Sequence, residues 1–333
     1  MMTPTLPLGR YRLRFSAADE PVSDFPGCHW RGALGYTLRD NACLTGAEVC
    51  DPCAARDRCA YSYLFETPPG IGAEKMRRYQ QVPHPYALRE EGAQSGSGPC
   101  LILTLFGHGN AHLPLMVQAL ARAAAGPRGI GGRRMGLLAV EQESAPGQND
   151  WHPIARPGGG LAPLAVVTPP CPPLSDGAVR IEILSPLRVK REGKYVGAKD
   201  FRFSDLFGNL LRRISMLTTF HTDTPLETDF RGLTQAALAI KAKADLRWVE
   251  LGRHSARQQA NMKMAGVMGS LHLDAAGLAP FWPYLWLGQF THAGSAATMG
   301  LGHFTLHAAS LPSANPVPLG GTIRHPPATD LPA

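Results

Sequence analysis

A Pro/Gly-rich stretch between Gly147 and Pro173 divides this chain into two halves that repeat the same strand–helix logic. It includes Pro157-Gly158-Gly159-Gly160 and Pro169-Pro170-Cys171-Pro172-Pro173. Runs of this kind punctuate chains rather than sit inside elements. Before it, Tyr11–Ser16 alternates as a strand and a helix begins near Trp30. A long loop follows through Pro83-His84-Pro85-Tyr86, then an apolar strand at Cys100–Phe106, a helix over Leu113–Ala125 closed by Gly126-Pro127, and a strand near Leu137–Val140. After it, Val179–Ile183 alternates again and Leu187–Val196 reads as a hairpin arm turning at Glu192-Gly193. A helix capped by Ser204 carries Phe207, Leu210, Leu211, Ile214 and Leu217 on one face. Strands are expected at Ala244–Leu251, Leu271–Leu273 and Gly302–Ala308. The order predicts an α+β protein with helices on one face of antiparallel sheet. The divisions are 1–150, a linker over 151–174, 175–310, and a flexible tail over 311–333.

At 333 residues each half can hold its own core. No apolar run reaches the ~18 residues of a membrane span, and residues 1–10 lack a signal-peptide core. Seven cysteines, an odd and clustered set, argue against a secreted disulfide scaffold and for a cytoplasmic protein. The net charge of +7, carried more by arginine than lysine, favours a polyanionic partner.

Four of the cysteines, Cys43, Cys50, Cys53 and Cys59, fall within 17 residues. Thiols so spaced suit a tetrahedral structural zinc with every ligand position filled by protein, leaving no open position for metal catalysis. An iron–sulfur cluster fits the spacing as well, and a reduced, metal-free loop is the plain alternative. Cys28, Cys100 and Cys171 read as buried or incidental thiols.

Trp30-Arg31-Gly32-Ala33-Leu34-Gly35, the four cysteines and Cys59-Ala60-Tyr61-Ser62-Tyr63-Leu64-Phe65-Glu66 resemble the CRISPR-associated endoribonucleases that process precursor CRISPR RNA. These belong to the repeat-associated mysterious protein (RAMP) superfamily. Arg253-His254-Ser255-Ala256-Arg257 and the loop Gly294–Gly302 extend the resemblance over roughly residues 10–310. It implies tandem ferredoxin-like, RNA-recognition-type domains, with a cysteine-rich insertion at about 43–66 in the first. It also implies metal-independent cleavage at a repeat hairpin, with the product RNA retained for an interference complex and its subunits. Related proteins often place a lysine after the first glycine of the loop, where this chain has Ser295.

Such cleavage deprotonates a ribose 2′-OH, stabilises a phosphorane and protonates the leaving 5′-oxygen. The resemblance points to His29 as a catalytic residue, with surface capping as its plain alternative; Tyr36, two helical turns on, lies on the same side. Arg257 is the third catalytic candidate, and Arg253 and His254 join it as phosphate contacts, with a structural hydrogen bond beneath the sheet as the plain alternative for His254. Arg31, Arg39, Arg212 and Arg213 are expected on RNA backbone, although a solvated helix face is their default. Gly294, Gly300 and Gly302 would let RNA approach the loop backbone closely.

Overall fold

The computed structural model describes residues 3–16, 26–51, 53–69, 82–91, 98–155, 159–255 and 260–308. The expected tail at 311–333 and Arg257 lie outside the described residues.

The first half runs β1 (Leu8–Phe15), α1 (Pro26–Ala42), β2 (Tyr86–Glu91), β3 (Cys100–Phe106), α2 (Leu113–Ala125), β4 (Leu137–Glu143) and β5 (Trp151–Pro153). Its antiparallel sheet has the order β2-β3-β1-β4-β5. The second half runs β6 (Ala178–Leu187), a small hairpin β7 (Lys190–Arg191) and β8 (Lys194–Tyr195), α3 (Phe203–His221), α4 (Phe230–Ala237), β9 (Lys243–Ser255), β10 (Ala260–Asp274), α5 (Trp282–Thr291) and β11 (Phe304–His307). Its larger sheet has the order β11-β6-β10-β9. With β5, the small hairpin and the short α4 set aside, both halves are βαββαβ units in which the first strand lies between the third and the last. The chain is an α+β protein of two ferredoxin-like units in tandem.

Period-two alternation decides which face each strand buries. In the first sheet Tyr11, Leu13, Phe15, Leu101, Leu103 and Leu105 point to α1 and α2 and are almost fully buried. In the second, Ile181, Ile183, Leu271 and Phe304 point to α3 and α5. Three expectations change. The loop through Tyr86 contains β2, which pairs with β3. β5 extends the first sheet into the stretch expected as linker, and Val167 bridges back to Leu8. The cap of α3 is Arg202, whose N–H donates to Asp205 Oδ2 at 2.8 Å, rather than Ser204.

The halves join through the helix-free face of the first sheet. Leu6, Leu8, Ala87 and Phe106 lie on that side and belong to the core of the second half. Alongside them sits a layer of ion pairs: Arg10 with Glu143, Arg12 and Arg14 with Glu141, and Arg89 with Glu91. Arg10 also stacks on Phe290 of α5 and on Trp151. α5 is therefore covered on both sides, which explains why Trp-Pro-Tyr-Leu-Trp-Leu-Gly-Gln-Phe-Thr is apolar all round. The helix-free face of the second sheet carries Arg180, Glu182, Ser270 and His272, and His272 there is exposed.

Candidate functional site

The first turn of α1 abuts the glycine-rich loop. Gly27 is buried there, and a Cβ built on it would lie 2.0 Å from the Met299 carbonyl oxygen. Cys28 packs against a small apolar cluster of Met264, Met299 and Leu301. His29, next along, is half-buried, and desolvation pushes its pKa below the ordinary histidine value. Its imidazole is thus neutral near pH 7, the form a general base requires.

The loop is held from inside. Gly294, Ala296, Gly300 and Gly302 have positive φ, which lets it double back on itself. Gly294 N–H donates to Asn209 Oδ1 (2.6 Å), Ser295 N–H to Arg188 O (3.2 Å) and Gly302 N–H to Pro186 O (3.2 Å). Met299, Gly300 and Leu301 donate to carbonyls within the loop. The N–H groups of Gly294, Gly300 and Gly302, the glycines expected to admit RNA, are thus all engaged within the protein. Gly302 is buried, where a Cβ would lie 1.7 Å from Ala293 O; close packing requires that glycine. His292 sits beneath, its Nδ1 against Leu301 O at 3.1 Å, and burial pushes its pKa down to about 3.

The other expected residues separate. Tyr36 is on the exposed side of α1, 54% accessible, with the Arg128 guanidinium 4.4 Å from its ring centroid. Arg31 turns onto Phe65, 4.2 Å from the ring centroid, with its Nε buried and unpartnered. Arg39 donates to the carbonyls of Ala47 and Glu48 and so ties down the cysteine segment. Arg213 is drawn toward the junction, where Nε donates to Thr291 O at 2.8 Å and desolvation lowers its pKa to about 10. Its expected RNA contact does not fit that placement, whereas Arg212 is exposed. Arg253 and His254 lie in β9, opposite Met262 and Asn261.

The cysteine segment leaves α1 and returns as a π-helix, Ser62–Glu66. Between Cys43 and Cys59 the described regular structure is a single 3-10 turn, Arg56–Arg58. The thiols make separate contacts: Gly46 N–H to Cys43 Sγ, Thr45 Oγ1 with Cys53 Sγ, both at 3.3 Å, and Cys59 Sγ to Ala42 O at 3.4 Å. Among the described residues no group of three or more His, Cys, Asp or Glu side chains is set to hold a metal.

Beyond the cysteine segment a buried polar network couples the halves. Tyr63 OH donates to His221 Nδ1 at 3.0 Å, and His221 Nε2 donates to Pro83 O at 2.7 Å. Thr67 Oγ1 meets His84 Nδ1 at 2.6 Å. Sequence reasoning passed over the Tyr63–His221 pair because its members come from opposite halves, 158 residues apart. Among the described residues no helix is long and apolar enough to cross a membrane.

Residues 181–304 match the family model of the CRISPR-associated endoribonuclease Cas6, and residues 6–165 match a model of the AF_1859 N-terminal domain. Two solved Cas6 product complexes are similar. One is 16% identical, covers 90% of this chain and 99% of its own, and superposes with a TM-score of 0.54. The other is 17% identical, covers 91% and 100%, and gives 0.51. A RAMP protein binding different RNA substrates, 12% identical over 90% of this chain and 99% of its own, gives 0.43. At these identities the likeness to the two product complexes speaks to the fold alone. No curated protein matches the sequence.

Proposed function

We propose, from the premise that this chain is a CRISPR-associated RNA-processing protein of the RAMP type, that it is a metal-independent endoribonuclease cutting precursor CRISPR RNA at a repeat hairpin. The observation that carries the reading is the meeting of the first turn of α1, with neutral His29, and the glycine-rich loop. His29 takes the proton of the ribose 2′-OH. The 2′-oxygen attacks the adjacent phosphorus, the bond to the 5′-oxygen breaks as that oxygen takes a proton from water, and the products are a 2′,3′-cyclic phosphate and a free 5′-OH. Recognition rests on backbone shape and basic side chains, as for other RNA helices. The product RNA stays bound and passes to the other CRISPR proteins of an interference complex in the cytoplasm.

A non-cleaving repeat-binding subunit is the rival reading. It is favoured by Tyr36, the candidate second proton carrier, which stacks with Arg128 two turns along α1. Single-turnover incubation with the repeat RNA of the adjacent array, without divalent metal, separates the two. A matched RNA carrying one 2′-deoxy sugar upstream of the cut is the control. Cleavage of the ribose RNA alone, leaving a cyclic phosphate, supports the enzyme. Tight binding with both RNAs intact refutes it.

Cys43, Cys50, Cys53 and Cys59 are proposed to hold a structural zinc. The donor set suits it, and Leu44 and Val49 are 67% and 60% exposed, so apolar burial does not fix the outer part of the segment. Closing the site draws together thiols that now bond to Thr45, Gly46 and Ala42. Metal analysis of the purified protein decides it: one zinc per chain is expected, and loss of all four thiols' metal-dependent protection from alkylation accompanies chelation. Protein isolated without metal, and unable to take up added zinc, refutes the site.

A further inference from the structure

With the N–H groups of Gly294, Ser295, Gly300 and Gly302 engaged within the protein, a phosphate arriving at that side of the loop is met by side chains. Two cations stand beside it. The Arg188 carbonyl accepts from Ser295 N–H, and a Cβ on Gly294 would lie 2.7 Å from that same oxygen, so Arg188 and the loop are in backbone contact. The Arg188 guanidinium reaches Met264 Sδ and Tyr195 OH, each at 2.9 Å, and lies 4.8 Å from the Tyr195 ring centroid. Its Nε is buried with no hydrogen-bond partner. Lys190 Nζ, paired across the hairpin, is 5.0 Å from the centroid of the same ring.

This arrangement differs from that of six other arginines near the sheets. Arg10, Arg12, Arg14, Arg89, Arg180 and Arg191 each have a carboxylate. Among the described residues Arg188 and Lys190 have none, and Arg188 bonds instead to a thioether and a phenol. Two like charges sharing one ring repel each other, and an anion between them relieves that repulsion. A guanidinium bonded to weak acceptors keeps its capacity for a charged one. Met264 ties this corner to the catalytic candidate, because it belongs to the apolar cluster against which Cys28, the residue before His29, packs.

We propose that Arg188 and Lys190, with Tyr195 between them, form the phosphate cradle that holds the RNA backbone at the glycine-rich loop, next to the scissile bond. The proposal rests on the reading of the chain as a repeat-RNA-binding protein. Tyr195 positions the two cations, its ring stacked with both and its hydroxyl on the guanidinium.

The test measures affinity for the adjacent array's repeat RNA across a KCl series, with wild-type protein, Arg188→Gln, Lys190→Gln and Tyr195→Phe. The RNA carries a 2′-deoxy sugar at the cut mapped with wild-type protein, or is unmodified if wild-type protein does not cut. Each lost phosphate contact lowers the salt slope by roughly 0.7–0.9, and losing a charge-assisted bond weakens binding roughly tenfold. Arg188→Gln and Lys190→Gln are each expected to do both, while Tyr195→Phe keeps the slope. A neutral methylphosphonate at the contacted phosphate weakens wild-type binding and adds nothing to Arg188→Gln. Lys190 is exposed, so its variant stays folded and informative if Arg188→Gln does not. Unchanged slopes in both charge variants, with wild-type binding intact, overturn the cradle and leave the proposed function standing. Wild-type protein that does not bind this RNA overturns both.

Discussion

Gly27 and Gly32 occupy the same helix, and the structure assigns them opposite responses to a single methyl group. At Gly27 the added Cβ meets the carbonyl oxygen of Met299 at 2.0 Å and its carbon at 2.6 Å. Both are backbone atoms of a short, internally bonded 3-10 turn, so no side-chain rotation relieves the clash. Helix and loop must separate by more than an ångström. Overpacking of this kind costs about 1–3 kcal/mol. The first turn carries His29 two residues on, and misplacing a reacting group by about 1 Å costs about 100-fold in rate. At Gly32 nothing lies within 4 Å, and alanine is favoured over glycine in a helix by about 1 kcal/mol. Urea titrations and single-turnover cleavage of repeat RNA report the two effects. Gly27→Ala is expected to lose about 1–3 kcal/mol and about two orders of magnitude in rate. Gly32→Ala should match or exceed wild-type stability and cleave at the wild-type rate. A Gly27→Ala protein with wild-type midpoint and rate would refute the placement of α1 against the loop, and His29 would lose its support.

The junction offers a second test: Glu143 accepts from Arg10 and from the N–H groups of Gly147 (3.1 Å) and Asn149 (2.6 Å), so Glu143→Gln should cost about 3 kcal/mol in urea. An unshifted midpoint would mean that pair is dispensable. Burial holds His84, His221 and His292 down at about 3, 4 and 3. Between those values and ~6.5 the unfolded chain binds protons that the folded chain does not, so stability falls as pH drops below ~6.5. The slope is about 1.4 kcal/mol per pH unit for each histidine, and a flat urea midpoint from pH 7 to pH 5 would contradict it. With the His29 pKa lowered, the cleavage rate should hold through pH 6.5 and fall only on further acidification; a half-point above 6.5 would exclude His29 as the base. Tyr36→Phe keeps the ring under Arg128 and should change the cleavage rate by less than about threefold, where loss of a catalytic proton carrier would cost about 100-fold or more.

Elements whose signal is local were legible in the sequence. Cys100–Phe106 is a continuous apolar run and becomes β3, while Leu113–Ala125 has a helical stripe closed by Gly126-Pro127 and becomes α2. The Glu192-Gly193 turn shows itself by residue type, and both residues have positive φ. What escaped reading depends on partners far along the chain. α5 has no polar stripe because a sheet of the other half covers it, and without a stripe there is no period to detect. Tyr86–Glu91 follows Pro83 and Pro85, which read as loop, and is a strand because β3 pairs with it. Arg10, Arg12 and Arg14 alternate with apolar residues as if facing water, yet their carboxylate partners are some 130 residues away. The candidate site divides the same way. His29 and the glycine loop were visible as motifs, whereas the anchoring of Arg39 on the cysteine segment, the inward turn of Arg213 and the pairing of Arg188 with Tyr195 follow from the packing.

Two copies of one topology within a chain need not remain equivalent. The first sheet has its second face sealed by α5, so substitutions at Ala87, Arg89 or Thr104 answer to a protein core. Among the described residues no helix covers the outer face of the second sheet, so changes at Arg180, Ser270 or His272 are not judged by packing in the same way. Sequence drift should therefore be asymmetric between corresponding strands. The sealed copy would hold its residues in complementary pairs across the junction, changing together or not at all, while the open copy is the one free to be reshaped for new partners.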